Sequence, residues 1–269
     1  MIIDFHTHVF PHRIAESAMR KLRSLSKEKA YLNGTIEDLQ ASMKETGVDL
    51  SVILPVVTGL DQFSSLNQYA KEINDQNGDT NTGKCVSFGG IHPDTKDYKK
   101  EIDEIVKLGF KGIKLHPDYQ KCYIDDIKYL RIIEYASEKG LIITVHAGVD
   151  IGLREKVHCS PKRIDKLLRQ IKPEKLVIAH MGGNECWDEA EELLIGTGLY
   201  FDTGFCIGRM PDEQLIRMSR NHGIDKILFA TDSPWSSQKD DIAYLSQMDM
   251  KEDEKKAILG ENAQRLLFA

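Results

Sequence analysis

Eight short runs rich in β-branched and aliphatic residues mark the chain from end to end, at 2–8, 49–56, 85–91, 111–116, 141–146, 176–180, 199–203 and 227–232. Segments of helical period separate them, and that alternation is what a parallel sheet with crossover helices writes into sequence. Several runs are apolar on both pleat faces, Ile142-Ile143-Thr144-Val145 and Leu176-Val177-Ile178-Ala179 among them. Strands of that kind are covered on both sides. Eight such units fit either a closed (β/α)₈ TIM barrel or an open doubly wound sheet, and the strand count favours the barrel. No linker, low-complexity tract or charge block divides the 269 residues, so residues 1–269 read as one domain.

The helical segments have recognisable ends. Ser160-Pro161 supplies an N-cap followed by proline at the first helical position, and Ile164, Leu167, Leu168 and Ile171 then form one apolar stripe. Thr35 opens another helix with Asp38 three places on, while Gly140 and Gly223 stand where helices end. The segment 19–33, rich in Lys, Arg and Ser, reads equally as a helix or as a long loop after the first strand.

Composition excludes several functions. With 36 Lys+Arg against 42 Asp+Glu the net charge is −6, which gives no electrostatic case for a nucleic-acid partner. No apolar run approaches the roughly 20 residues that cross a bilayer, so no membrane association is expected. Five cysteines without a C-x-x-C pair suit a reducing compartment, which points to the cytoplasm. A homo-oligomer is compatible with the sequence but is not specified by it.

The chemistry-bearing residues stand at the C-terminal ends of the apolar runs, where a barrel places its active site. His6 and His8 end the first run, Lys114 and His116 the fourth, His146 the fifth, His180 the sixth and Asp232 the eighth. Strand period puts Asp4, His6 and His8 on one face, Lys114 with His116, and Thr144 with His146, so these groups are expected to converge inside the barrel mouth. Several neutral imidazoles beside a carboxylate make a site for a divalent transition ion, Zn²⁺ first, with Mn²⁺, Fe²⁺ or Co²⁺ as alternatives. Each residue alone has a plainer reading: His146 and His180 as strand-end histidines bonded to loops, and Asp232, before Ser233-Pro234, as a turn or cap residue. Independent plain readings do not explain why His6, His8, His146, His180 and Asp232 all fall at one end of four strands.

These motifs resemble the amidohydrolase superfamily of metal-dependent (β/α)₈ barrels, and within it the amidohydrolase-related family that includes aminocarboxymuconate semialdehyde decarboxylase-like enzymes. The resemblance rests on Asp4-Phe5-His6-Thr7-His8, Gly112-Ile113-Lys114-Leu115-His116-Pro117, Val145-His146-Ala147-Gly148, Ala179-His180-Met181-Gly182-Gly183, Ala230-Thr231-Asp232-Ser233-Pro234 and the closing segment from Gly260 to Leu267. It implies that His6, His8, His146 and Asp232 ligate one ion, with Asp232 also the general base. His180 would orient the substrate carbonyl as a catalytic group, or bind a second ion in a binuclear site. Lys114 stays open between a carboxylated bridging ligand, an unmodified amine contacting substrate or carboxylates, and an ion-pair residue. His116, His158 and Trp235 are expected to face substrate, with Asp202 and His92 as lesser candidates. Arg154 and Arg209, in the loops after the fifth and seventh strands, are carboxylate anchors or simply solvated.

The implied activity is hydrolysis of a C–N or C–O bond in a small, carboxylated molecule by metal-activated water. The alternatives are a nonoxidative decarboxylase using the same site and a non-catalytic metal-binding barrel. TatD-type nucleases share the H-x-H start but carry a strand-four glutamate ligand where Lys114 stands here, and the chain lacks a basic excess for DNA.

Overall fold

A computed structural model describes residues 1–76 and 83–269. It is a TIM barrel of parallel strands wrapped by helices. The strands are β1 (Ile3–Thr7), β2 (Leu50–Ile53), β3 (Lys84–Ser87), β4 (Gly89–Gly90), β5 (Gly112–Leu115), β6 (Ile142–Val145), β7 (Leu176–Ile178), β8 (Tyr200–Asp202) and β9 (Ile227–Leu228). They pair in the orders β1-β2-β3 and β4 through β9. Backbone bonds close the circle: Phe5 N donates to Phe229 O (2.9 Å) and Asp232 N to His6 O (2.9 Å), while Thr7 and Ser233 form a parallel bridge.

The third run is therefore one barrel strand in two pieces, interrupted at Phe88. There Phe88 N still donates to Ile53 O (2.9 Å), and the Phe88 ring packs edge-on against Phe5. Gly90 follows because a Cβ would meet Val57 Cγ2 at 2.8 Å. The break turns the strand from β2 toward β5.

A second departure concerns Asp4. Strict alternation would aim it into the barrel with His6, but the β1–β2 register shifts between Asp4 and Thr7. Asp4 instead accepts hydrogen bonds from Thr231 N and Oγ1 and from Gln238 Nε2, on helix α9 (Gln238–Gln247). It joins the strand to a surrounding helix rather than to the site, because an irregularity of one residue reverses the facing of everything before it.

The helices obey their sequence signals. Thr35 Oγ1 accepts from Asp38 N at the start of α2 (Ile36–Thr46). Pro161 opens α6 (Pro161–Leu168), where Ile164 and Leu167 are buried, although the Ser160 side chain makes no capping bond. Within 19–33 both readings hold in turn. Helix α1 (His12–Ser26) runs until Lys27 adopts a left-handed cap, and an irregular segment follows. One apolar layer lies between strands and helices. A second fills the barrel interior, where Ile3, Phe5, Phe88, Ile142, Val177 and Leu228 meet Ala263, Leu266 and Leu267 of α11 (Asn262–Phe268). That plug closes one end and leaves polar chemistry to the other. No helix among the described residues is long and apolar enough to cross a membrane.

Candidate metal centre and its cavity

His6, at the end of β1, is fixed from behind. Its Nδ1–H donates to Asp202 Oδ2 at 2.9 Å, which leaves the Nε2 of the neutral ring as a bare electron pair. His8, just beyond the strand, donates from Nδ1 to Leu54 O (3.0 Å), and its Nε2 is likewise turned inward. Asp232 completes the group: its Oδ1 lies 3.0 Å from His8 Nε2 and 3.4 Å from His6 Nε2, and the two imidazole nitrogens are 3.2 Å apart. Atoms each held roughly 2.0–2.2 Å from one tetrahedral ion would stand at about these separations. The donor set and its spacing therefore fit a divalent transition metal.

Asp232 reaches this position on a left-handed backbone (φ 62°), as does His180 (φ 61°). Such conformations cost a non-glycine residue about 1–2 kcal/mol and gather at functional sites. The tertiary bonds hold them: Asp232 N donates to His6 O, and His180 N donates to Asp202 Oδ1 at 2.9 Å. Asp202 thus orients His6 with one oxygen and the His180 backbone with the other. Sequence reasoning ranked it as a lesser candidate, since nothing local distinguishes it from any acidic residue ending a strand.

Lys114, fully buried on β5, places Nζ 2.9 Å from His6 Nε2. Its amine therefore engages the His6 electron pair that faces the cluster. Burial pulls the Lys114 amine down to about 8, against the pull of Asp202 and Asp232. The same burial, with Lys114 beside it, holds His6 well below the usual histidine range. Burial works to raise the Asp232 carboxyl, but His6 and His8 outweigh it and keep it below the ordinary carboxylate value.

The remaining histidines form a second group. His180 Nδ1–H donates to Gly204 O (2.8 Å), and its Nε2 meets His146 Nδ1 at 3.0 Å. His146 is not within the His6–His8–Asp232 cluster; it stacks on His116 with centroids 4.1 Å apart and planes 6° apart, and its Nε2 lies 4.0 Å from both Asp150 Oδ2 and Asp118 Oδ2. His116 Nε2 is 3.4 Å from Asp150 Oδ2. Asp118 and Asp150 were not singled out from sequence, because they stand in loops where no period signals which way a side chain points.

One cavity of about 720 Å³ opens over both groups, lined by His6, His8, Lys114, His116, His146, Asp150, His180 and Asp232. Its apolar wall includes Phe10, Ile14, Leu22, Phe205 and Trp235, with Trp235 packed on Phe205 and Met19. His158 stands elsewhere than expected, and Arg154 and Arg209 are solvated rather than anchors. His158 is absent from the lining and donates from N and Nδ1 to Asp118 Oδ1, so it anchors that carboxylate. Arg154 pairs with Glu185 and Arg209 with Glu28, both away from the cavity, whereas Arg13 of α1 lines it.

An Amidohydrolase family model matches residues 3–269. The chain belongs to the amidohydrolase family. Solved structures agree on the barrel. An uncharacterized TIM-barrel protein of Bordetella bronchiseptica is 18% identical, with a TM-score of 0.79, covering 99% of this chain and 98% of its own. A 5-carboxyvanillate decarboxylase of Novosphingobium aromaticivorans, complexed with manganese and 4-hydroxy-3-methoxy-5-nitrobenzoic acid, is 16% identical (TM-score 0.72, 100% and 96% covered). A probable 2-pyrone-4,6-dicarboxylic acid hydrolase of Acinetobacter baumannii, with citric acid bound, is also 16% identical (TM-score 0.67, 99% and 98% covered). No curated relative matches the sequence. Among these similar barrels are thus a decarboxylase solved with manganese and a probable hydrolase.

Proposed function

We propose that this amidohydrolase is a metal-dependent hydrolase cleaving a C–N or C–O bond of a small carboxylated molecule. The observation that supports this most is the meeting of His6 Nε2, His8 Nε2 and Asp232 Oδ1 within 3.0–3.4 Å of one another on a cavity large enough for such a substrate. Those three residues would hold the ion. When bound, it supplies Lewis acidity, which activates water near neutral pH and polarises a carbonyl. Zinc suits the imidazole-rich set, and manganese, iron or cobalt would bind the same atoms.

The chain's own groups account for the rest. Asp202 holds His6 in the tautomer that presents Nε2, and Leu54 O does so for His8. Asp232, kept ionised, accepts a proton from water and returns it to the leaving group as general base and then acid. Lys114 is best read as an unmodified cation that yields the His6 electron pair to the ion and turns toward a substrate carboxylate; Arg13 offers a second positive charge at the cavity wall. His180 is a weaker carbonyl-orienting candidate than its sequence position implied, since both ring nitrogens are engaged, Nδ1 with Gly204 O and Nε2 with His146 Nδ1. The apolar wall limits water around the reacting centre. Cys122, Cys159, Cys186 and Cys206 are free thiols, in keeping with a cytoplasmic enzyme.

A second reading, nonoxidative decarboxylation at the same site, draws support from the similar barrel of the 5-carboxyvanillate decarboxylase. Metal-replete protein should be screened against lactones, amides and hydroxybenzoic acids in ¹⁸O-labelled water. Hydrolysis predicts label in the product carboxylate; CO₂ release without label in the product would select the lyase. Turnover of none of these, with metal bound, would leave a binding barrel.

A further inference from the structure

The cavity lies between two helices that are held very differently. On one side stands α3 (Phe63–Gln76), which gives Ser65, Leu66 and Tyr69 to the wall. Asn67 exchanges hydrogen bonds with the Gly90 backbone (Nδ2 to O, 3.0 Å; Gly90 N to Oδ1, 2.9 Å), and Asn74 does the same with Ser87 (3.0 and 2.7 Å). Two side-chain amides thus fasten α3 to the third barrel strand. On the other side stands α1, which gives Arg13, Ile14, Ala18 and Leu22 to the wall. Among the described residues, every hydrogen bond and ion pair of residues 11–27 stays within residues 11–28.

Apolar packing alone therefore holds α1 on the barrel. Ala15 and Met19 are its buried residues. Met19 seats on Gly34, where a Cβ would lie 2.8 Å from Met19 Cγ, and joins Phe205 and Trp235 in a small cluster apart from the main core. The chain is pinned just outside the helix, by Phe10 N donating to Gly34 O and Tyr31 N to Pro234 O, both at 2.8 Å. Between those pins Pro11 starts the helix without a side-chain cap, and Lys27 ends it on a left-handed backbone (φ 59°). A segment with few buried apolar contacts and no polar ties opens at far lower free energy than a barrel strand. Arg13, on the same helix, has no hydrogen-bond or ion-pair partner among the described residues and lines the cavity. A ligand shifts such an equilibrium only through contacts made in one state and not the other. An anionic group reaching Arg13 supplies one.

We propose that α1 is a lid, hinged at Pro11 and Lys27, which swings open to admit a ligand and is drawn shut when Arg13 meets the ligand's anionic group. The lid stands apart from the proposed reaction, whereas the anionic partner of Arg13 rests on the reading that the substrate is carboxylated. Closure of this kind shields a reacting centre from water and gates entry and release.

A disulfide can hold the lid in place. A Cβ on Gly152 would lie 3.4 Å from Leu25 Cβ, close to the roughly 3.5–4.5 Å that separates such atoms across a disulfide. The test is amide hydrogen exchange read by mass spectrometry on metal-stripped full-length protein, with stopped-flow uptake of anilinonaphthalene sulfonate, an apolar anion, as the second readout. In wild type the α1 amides should exchange at least about tenfold faster than those of α3, and the probe should slow them severalfold. Oxidised Leu25→Cys/Gly152→Cys should slow both α1 exchange and probe uptake about tenfold, and a phosphine reductant should reverse both. Met19→Ala, which removes the lid's main anchor, should speed both severalfold. Arg13→Gln should keep the fast exchange and lose the slowing by the probe. Exchange in α1 as slow as in α3 would overturn the lid, as would wild-type probe uptake by the oxidised pair or by Met19→Ala. Undiminished slowing by the probe in Arg13→Gln would overturn the role of Arg13. None of these readouts involves metal or turnover, so they succeed or fail apart from the assay of the reaction.

Discussion

Asp202 shows how much of the candidate centre depends on a residue that never faces the cavity. Its Oδ2 accepts from His6 Nδ1, and its Oδ1 accepts from the backbone of His180 and Gly204. In Asp202→Asn the Oδ1 role survives, but an amide N–H then opposes the His6 N–H, and the ring must flip or change tautomer. Metal affinity should fall about 10–100-fold while the barrel still folds; dialysis against a chelator series with a parallel thermal melt checks both halves. At this scale the ligand types were legible in sequence, because ionisable groups ending apolar runs have little other reason to be there. Their partners were not. Asp118 and Asp150 lie in loops, and the pairing of His146 with His116 rather than with His6 is decided by side-chain directions that no spacing encodes.

Elements position these groups through a few close approaches. After β6 and β7 the backbones of Gly148 and Asn184 touch in a parallel bridge, and Gly148 N donates to Cys159 O at 2.9 Å. Gly148 has φ 81°, and a Cβ there would sit 2.1 Å from Asn184 N. Gly148→Ala should therefore cost a few kcal/mol, a Tm loss of about 10 °C for a chain of this size, and should displace the Asp150 loop. Gly140 makes the control: its φ is 75° with nothing within 4 Å of an added Cβ, so Gly140→Ala should lose only a few degrees. Differential scanning calorimetry distinguishes the two. The positions of strands and helices were legible because period and caps are local signals. The break at Phe88 and the outward turn of Asp4 were not, since both follow from register with neighbouring strands.

At the scale of the whole molecule, burial leaves acidic groups in the wall between barrel and helices. Burial, with Asp4 nearby, pushes the Asp241 carboxyl up to about 8, and its Oδ2 has no hydrogen-bond partner. The native state then keeps a proton that the unfolded chain releases near its ordinary carboxylate value, so stability falls as pH rises from about 4 toward 8. Asp241→Asn removes that proton uptake, and the Tm decline between pH 5 and pH 8 should shrink by about 5 °C; an unchanged slope would place the Asp241 proton elsewhere. The barrel itself was readable from eight runs and their spacing, whereas substrate identity is not, because the apolar wall that shapes the cavity comes from α1 and loops.

The central claim is that His6, His8 and Asp232 share one ion. Anomalous diffraction at the absorption edge of the metal in crystals of metal-replete protein tests it directly. The account predicts a peak within about 2.0–2.3 Å of His6 Nε2, His8 Nε2 and an Asp232 carboxylate oxygen, with Lys114 Nζ moved away. A fully loaded crystal with no peak among those atoms, or with Lys114 still bonded to His6, would contradict it.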